Sequence, residues 1–298
     1  MTDVQREGRD PIHGSKEPST LAEDIYHVLA DETDHEVSEE NVVWAGEIFK
    51  DLLRTRLKKR VVKKGEEVLR FSALGKQDRQ IWYQANMPEA AEKMPGKQNF
   101  KFLFGDCVEV LMLFLAKEAG HTVEDLQLGV EEDGVRGSID AIIDGVLVDV
   151  KSASPYSFDK FRTGAYLFDD PFGYVSQLAG YANALGKTEA GFLVANKVDG
   201  GITYVSFNNE YIKSNKPGPR IRHLKEVIHD LSPPKRCYAP VPEGKSGNMK
   251  LGIGCSYCPF KDTCYADANG GQGLRKFFYS RGPVWLTHVA REPKVNEV

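Results

Sequence analysis

Residues 126–154 read LQLGVEEDGVRGSIDAIIDGVLVDVKSAS, and this stretch decides the fold. Val, Ile and Leu alternate and cluster between Gly and Asp turn signals, the pattern of three strands with tight connections. Asp144-Gly145 is a strong hairpin cue, because both residues accept the positive φ of a two-residue turn. Side chains alternate along a strand, so Asp149 and Lys151 share one face while Val150 between them points to the core. Asp140 ends the strand-like run GSID, and the hairpin brings it back beside the returning strand. Two carboxylates and an ammonium therefore converge at one end of a sheet.

That convergence suits a hard divalent cation such as Mg²⁺ or Mn²⁺, which prefers oxygen ligands, polarises a phosphate and acidifies a bound water. Glu109, on the helix ahead of the strands, supplies one more carboxylate facing the same point. With waters and a backbone carbonyl, assigned to Val150, it completes an octahedral shell. Each part alone has a plain explanation: an Asp beside a DG pair is commonly turn chemistry, and D-x-K recurs by chance. The ordered set carries the inference.

Working outward, residues 101–121 (KFLFGDCVEVLMLFLAKEAGH) are apolar over most of a helix that Gly120 ends. Residues 172–186 (FGYVSQLAGYANALG) form an amphipathic helix closed by Gly186, and AGFLVANKVDGGITYVSFN supplies two more strands around a DGG turn. Helical periods also run from Ser19 to Leu29, from Val42 to Leu57 and through FSALGKQDRQIWYQAN, which carries Arg79, Trp82 and Tyr83. The expected class is α/β, a central mixed sheet flanked by helices. Lys58, Lys59, Arg60, Lys63 and Lys64 form the most basic cluster, read as a solvated surface or a phosphate contact. The chain closes on LRKFFYSRGPVWLTHV, a hairpin with Arg281-Gly282 at its bend.

From Ser232 the texture changes to Pro, Gly and Cys without period. Cys255, Cys258 and Cys264 form C-x2-C-x5-C, and Cys237 precedes them by a loop that can fold back. Four thiolates in a loop-rich segment signal a metal centre, either tetrahedral zinc or a cubane iron–sulfur cluster. Cys107 stands alone and reads as a small buried residue.

The order Glu109, G-x-x-D at Gly137–Asp140, D-x-K at Asp149–Lys151 and Q-x-x-x-Y at Gln177–Tyr181 resembles the RecB-type branch of the PD-(D/E)XK nucleases over roughly residues 70–265. The resemblance implies a restriction-endonuclease-like core and a Mg²⁺- or Mn²⁺-dependent deoxyribonuclease. Glu109, Asp140 and Asp149 would then bind metal, Lys151 would position water or offset developing charge, and Gln177 and Tyr181 would sit beside the DNA strand. Where members of this branch often carry a histidine ahead of the helix carboxylate, this chain has Asp106-Cys107. The cysteine pattern is similar to that of iron–sulfur nucleases of DNA-end processing and CRISPR adaptation. Their remote cysteine has its counterpart in QDRQIWY at Asp78, so Cys237 is assigned as fourth ligand of a 4Fe–4S cluster, with structural Zn²⁺ as the alternative.

A chain of 298 residues with 41% hydrophobic content buries a full core. Its net charge of −4 argues against blanket electrostatic binding to nucleic acid yet is compatible with a nuclease basic only along its groove, so charge does not decide the question. No apolar run reaches the roughly 18 residues of a membrane span, no signal peptide opens the sequence, and no P-loop motor is present. The expectation is a cytoplasmic exonuclease, in the host cytoplasm if phage-encoded, with a structure-selective endonuclease or a non-catalytic nucleic-acid-binding module that keeps the fold as the alternatives. Its substrate would be single-stranded or end-accessible DNA, with replication or recombination proteins as partners and no membrane. Its expected parts are an N-terminal arm with helices (1–66), the nuclease core (67–232), and a cysteine-clamped lobe with the final hairpin (233–298).

Overall fold

The computed structural model describes residues 16–30, 34–58, 64–207 and 209–298. Lys59, Arg60 and Lys63 of the basic cluster, and residues 1–15 of the arm, lie outside them.

Two helices lead in, α1 (Leu21–Leu29) and α2 (Glu39–Arg56), followed by α3 (Asp78–Asn86) and the long α4 (Gly96–Glu118). Leu21 and Ile25 of α1 are fully buried, whereas α2 buries no residue and lies along α4. Ser38 caps α2 by accepting from Asn41 N, and Glu118 of α4 binds His35, Ser38 N and Asn41, which ties the α2 start to the α4 end. α4 begins at Gly96, five residues before the expected Lys101. Only its C-terminal half, from Val110 to Ala116, reaches the core.

The stretch that opened the reading holds four strands rather than three. After β1 (Val123–Glu124), β2 (Gly129–Glu132) and β3 (Val135–Ser138) form a separate ribbon, and β4 (Ala141–Ile143) and β5 (Val146–Ala153) form the hairpin in the main sheet. The chain bends at Ile139–Asp140, where Ile139 N bonds Leu128 O and Asp140 O accepts from Gln127 N. The ribbon folds away there, so Asp140 sits in a break between strands rather than at the end of one. Asp144 and Gly145 adopt φ of 49° and 81°, as the hairpin cue requires.

From β5 the chain crosses over through α5 (Pro155–Thr163) and α6 (Tyr174–Ala184) to β6 (Ala190–Asn196), parallel to β5, and returns on β7 (Ile202–Phe207). The sheet order is β1-β4-β5-β6-β7, antiparallel except for β5–β6. α7 (Asn209–Ser214) and α8 (Pro217–His229) follow. One core layer packs α5, α6 and α8 on the sheet around Leu178, Phe192 and Ile221; the other packs α1 and α4 on its opposite face around Leu113, Val148 and Leu193.

The C-terminal lobe has β8 (Val241–Pro242) and β9 (Met249–Lys250), single turns α9 (Ile253–Ser256), α10 (Lys261–Cys264) and α11 (Ala268–Gly271), then β10 (Arg275–Tyr279) and β11 (Gly282–His288), in sheet order β10-β11-β9-β8. The final hairpin turns at Ser280-Arg281, one residue earlier than expected. Gly282 pairs with Tyr279 and opens β11. Among the described residues no helix is long and apolar enough to cross a membrane.

Candidate active site

The register of β4 and β5 pairs Ala141 with Val148, and continuing it one step sets Asp140 opposite Asp149. Like charges directly opposite across a strand pair destabilise a sheet, so this pairing needs compensation. It comes from two groups on β5. Val150 N donates to Asp140 Oδ2 at 2.9 Å, and the Lys151 ammonium forms an ion pair with Asp149. Val150 itself is buried on the α4 side of the sheet, as its place between Asp149 and Lys151 requires.

Glu109 projects from α4 toward the same point. Burial pushes its carboxyl up to about 8, and the charges of Asp140 and Asp149 push the same way. Asp140 rises to about 7 for the same two reasons, burial first and then Asp149. Burial works against the Lys151 ammonium, but Asp149 and Asp140 outweigh it and hold the group above its ordinary pKa. Gln127 Nε2 donates to Glu109 Oε1 at 2.9 Å, and Ser138 donates to Gln127 at 3.3 Å, so the ribbon and α4 together steady Glu109.

On α6, Gln177 and Tyr181 share a face, and Gln177 donates to the Tyr181 hydroxyl. Tyr181 stacks on Phe71 with ring centroids 4.9 Å apart and feels the charges of Asp149, Asp140 and Lys151. Tyr174, three residues before Gln177 on that face, places its ring 5.1 Å under Lys151 Nζ. The sequence reading passed over Tyr174 and Gln127. Tyr174 was accessible through its i, i+3, i+7 spacing with Gln177 and Tyr181, whereas Gln127 reaches Glu109 only through the fold.

The donor set fits a hard divalent cation: three convergent carboxylates repel one another, two are driven toward neutral pKa values, and a double positive charge would relieve both effects. The carboxylates are held instead by Val150 N, Lys151 and Gln127. Among the described residues no three His, Cys, Asp or Glu side chains stand where they would hold a single ion.

The four cysteines line one cavity together with Lys76, Arg79 and Tyr238. Cys237 meets the first turn of α3, where the backbone N–H groups of Arg79 and Gln80 donate to its sulfur. Cys258 accepts from Phe260 N, and Arg79 Nε donates to Cys264 Sγ at 3.1 Å. Asp78 pairs with Arg220 and His223. Burial raises the Cys237 and Cys255 thiols and lifts Cys258 to about 11, with the other cysteines adding to the rise at Cys258. Cys107 is half-buried and outside this group.

A central mixed sheet flanked by helices is consistent with a restriction-endonuclease-like fold. The chain belongs to the PD-(D/E)XK nuclease superfamily, whose family profile matches residues 20–265. No curated protein matches it. Among solved structures it is similar to SSO0001 at 15% identity, covering 73% of this chain and 94% of that one with a TM-score of 0.40. An alkaline exonuclease from Laribacter hongkongensis matches at 15% identity over 55% of this chain and 94% of its own, TM-score 0.34. A phage-related exonuclease from Haemophilus somnus matches at 15% identity over 56% and 94%, TM-score 0.38.

Proposed function

We propose that this nuclease is a Mg²⁺- or Mn²⁺-dependent deoxyribonuclease, an exonuclease acting on single-stranded or end-accessible DNA in recombination, replication or DNA breakdown. The observation that carries the metal-dependent reading is Asp140 set opposite Asp149 with Glu109 brought alongside, an arrangement a sheet has no structural reason to keep. The exonuclease reading rests on the order of motifs from Glu109 to Tyr181. A divalent ion held by Glu109, Asp140, Asp149 and the Val150 carbonyl would supply Lewis acidity and a more acidic water.

The chain's own groups divide the remaining work. Lys151, protonated and mostly buried beside Asp149, offers a positive charge to a phosphate oxygen, and the Tyr174 ring beneath it limits where its ammonium can go. Gln177 and Tyr181 present an amide and a hydroxyl to the backbone of the bound strand, contacts that position without reading sequence. Glu109 and Asp140 must shed protons before they can ligate, which ties activity to pH.

The cysteine cavity is read as a structural metal centre. The C-x2-C-x5-C spacing with Cys237 as a remote fourth ligand supports a 4Fe–4S cluster, with structural Zn²⁺ as the alternative, and the four sulfurs share one cavity in which Cys237, Cys258 and Cys264 accept N–H donors.

End-labelled linear DNA and circular DNA, incubated side by side with Mn²⁺ or with EDTA, test the function. Metal-dependent loss of the linear substrate with circles intact is expected, and cut circles would replace the exonuclease reading with an endonuclease. Lys151→Ala and Asp149→Ala should each lower cleavage by about 10²-fold or more with circular dichroism unchanged. Wild-type rates in either variant would remove the proposed site.

A further inference from the structure

A second feature lies on the far side of α6 from the carboxylates. An open groove of about 880 Å³ runs between the turn ahead of α3, the α7–α8 junction and the segment leading to Cys237. Among the described residues Asp78 is the single carboxylate on its walls, and Arg220 and His223 already match it. Several of its cations are committed to the protein: Arg79 to Cys264 and Pro234, Arg220 to Leu74, Lys76 and Asp78, and Arg236 to Cys264 and Asp267. Lys213, Lys216 and Lys235 are different. All three are exposed, and none has an ion-pair or hydrogen-bond partner among the described residues.

Three unmatched positive charges along one groove, on a chain whose net charge is −4, form a local attractor for a polyanion. The volume is far larger than a lone phosphate needs, and the lysines come from separate segments, which suits a chain of phosphates. α6 joins this groove to the candidate active site. Tyr174, Gln177 and Tyr181 occupy its face toward Lys151, and Ser176, on the opposite face, lines the groove. A ligand spanning both must round the first turn of α6. A flexible single strand can do so, whereas duplex DNA, with a persistence length of about 50 nm, resists so tight a bend.

We propose that Lys213, Lys216 and Lys235 bind the sugar-phosphate backbone of single-stranded DNA, anchoring the strand at a distance from the bond being cut. The proposal deepens the nuclease reading above and rests on it for the identity of the strand.

The test uses the full chain with Lys213, Lys216 and Lys235 all changed to alanine. Binding of a fluorescent single-stranded oligonucleotide of about 30 nucleotides is titrated in EDTA across a salt series. Each phosphate contact to single-stranded DNA adds about 0.7 to the log–log salt slope, so the variant's slope should fall by about 2 and its affinity at ~0.1 M salt by about 10- to 100-fold. A variant with wild-type slope and affinity overturns the proposal. In parallel, cleavage of a substrate too short to reach the groove should proceed at the wild-type rate with Mn²⁺, and an equal loss there would also overturn it. If the wild-type protein cleaves nothing, the nuclease reading fails on its own, while the salt slope still judges the groove.

Discussion

Glu109 and Asp140 give the protein a response to pH. Glu109 at about 8 and Asp140 at about 7 are raised by burial and then by neighbouring acids, so without metal Glu109 is mostly protonated and Asp140 about half protonated in the folded protein at neutrality. In the unfolded chain they ionise near pH 4. Between those values the folded state binds more protons than the unfolded state, so this contribution to stability is complete below about pH 4 and is lost as pH rises through 7 to 8. Metal-free protein should therefore lose melting temperature between about pH 6 and about pH 8.5, and Glu109→Gln should flatten that fall. An unchanged pH slope in the variant would show that Glu109 is not the buried acid described here. Metal affinity should rise over the same interval, because ligation displaces the protons.

At the scale of elements, two motifs far apart in sequence turn out to be one packing arrangement. A Cβ on Gly137, the glycine of G-x-x-D, would stand 2.6 Å from Tyr181 Cε1 and 2.8 Å from Phe71 Cβ. Tyr181 cannot withdraw, since it is buried and stacked on Phe71. The missing side chain on β3 is thus what lets α6 bring Gln177 and Tyr181 to the carboxylates. Gly137→Ala should cost about 1–3 kcal/mol in a denaturant melt, as overpacking generally does, and should slow cleavage by moving α6. Stability and rate equal to wild type would mean that β3 and α6 are not in this contact. β2 and β3, joined by Asp133-Gly134 with both residues at positive φ, form the platform that carries Gly137.

Across the whole molecule, the cysteine lobe closes on the nuclease core through α3. Phe260 stacks on Tyr83 at 5.7 Å, Lys261 pairs with Glu92, and Arg79 of α3 donates to Cys264 Sγ at 3.1 Å. Cys237 packs against the first turn of α3, beside Asp78. A metal centre there would link three separate stretches of chain, and its binding energy would add to folding. Cys258→Ser should lower the melting temperature by about 5 °C or more and abolish bound metal in protein purified without oxygen. A melting curve and metal content equal to wild type would exclude the centre. Apolar contact around Tyr83 and Phe260 should keep the core folded in the variant.

Much of this was legible in the sequence because it depends on local rules. Strand alternation put Asp149 and Lys151 on one face, the Asp144-Gly145 turn returned β5 beside β4, and helical spacing joined Gln177 to Tyr181. Three helices escaped: α7 has only six residues, too few to show a period, while α5 and α8 went unread although each opens on a Pro in its first turn, which is a helix-start cue. The break at Ile139–Asp140 depends on hydrogen bonds to Gln127 and Leu128 across the ribbon, which no periodicity encodes. Residue types and their spacing determined which groups could do chemistry. Long-range packing alone decided that Gln127 steadies Glu109, that Tyr174 lies under Lys151, and that three unpaired lysines line a groove behind α6, because each depends on segments brought together by the core rather than by the chain.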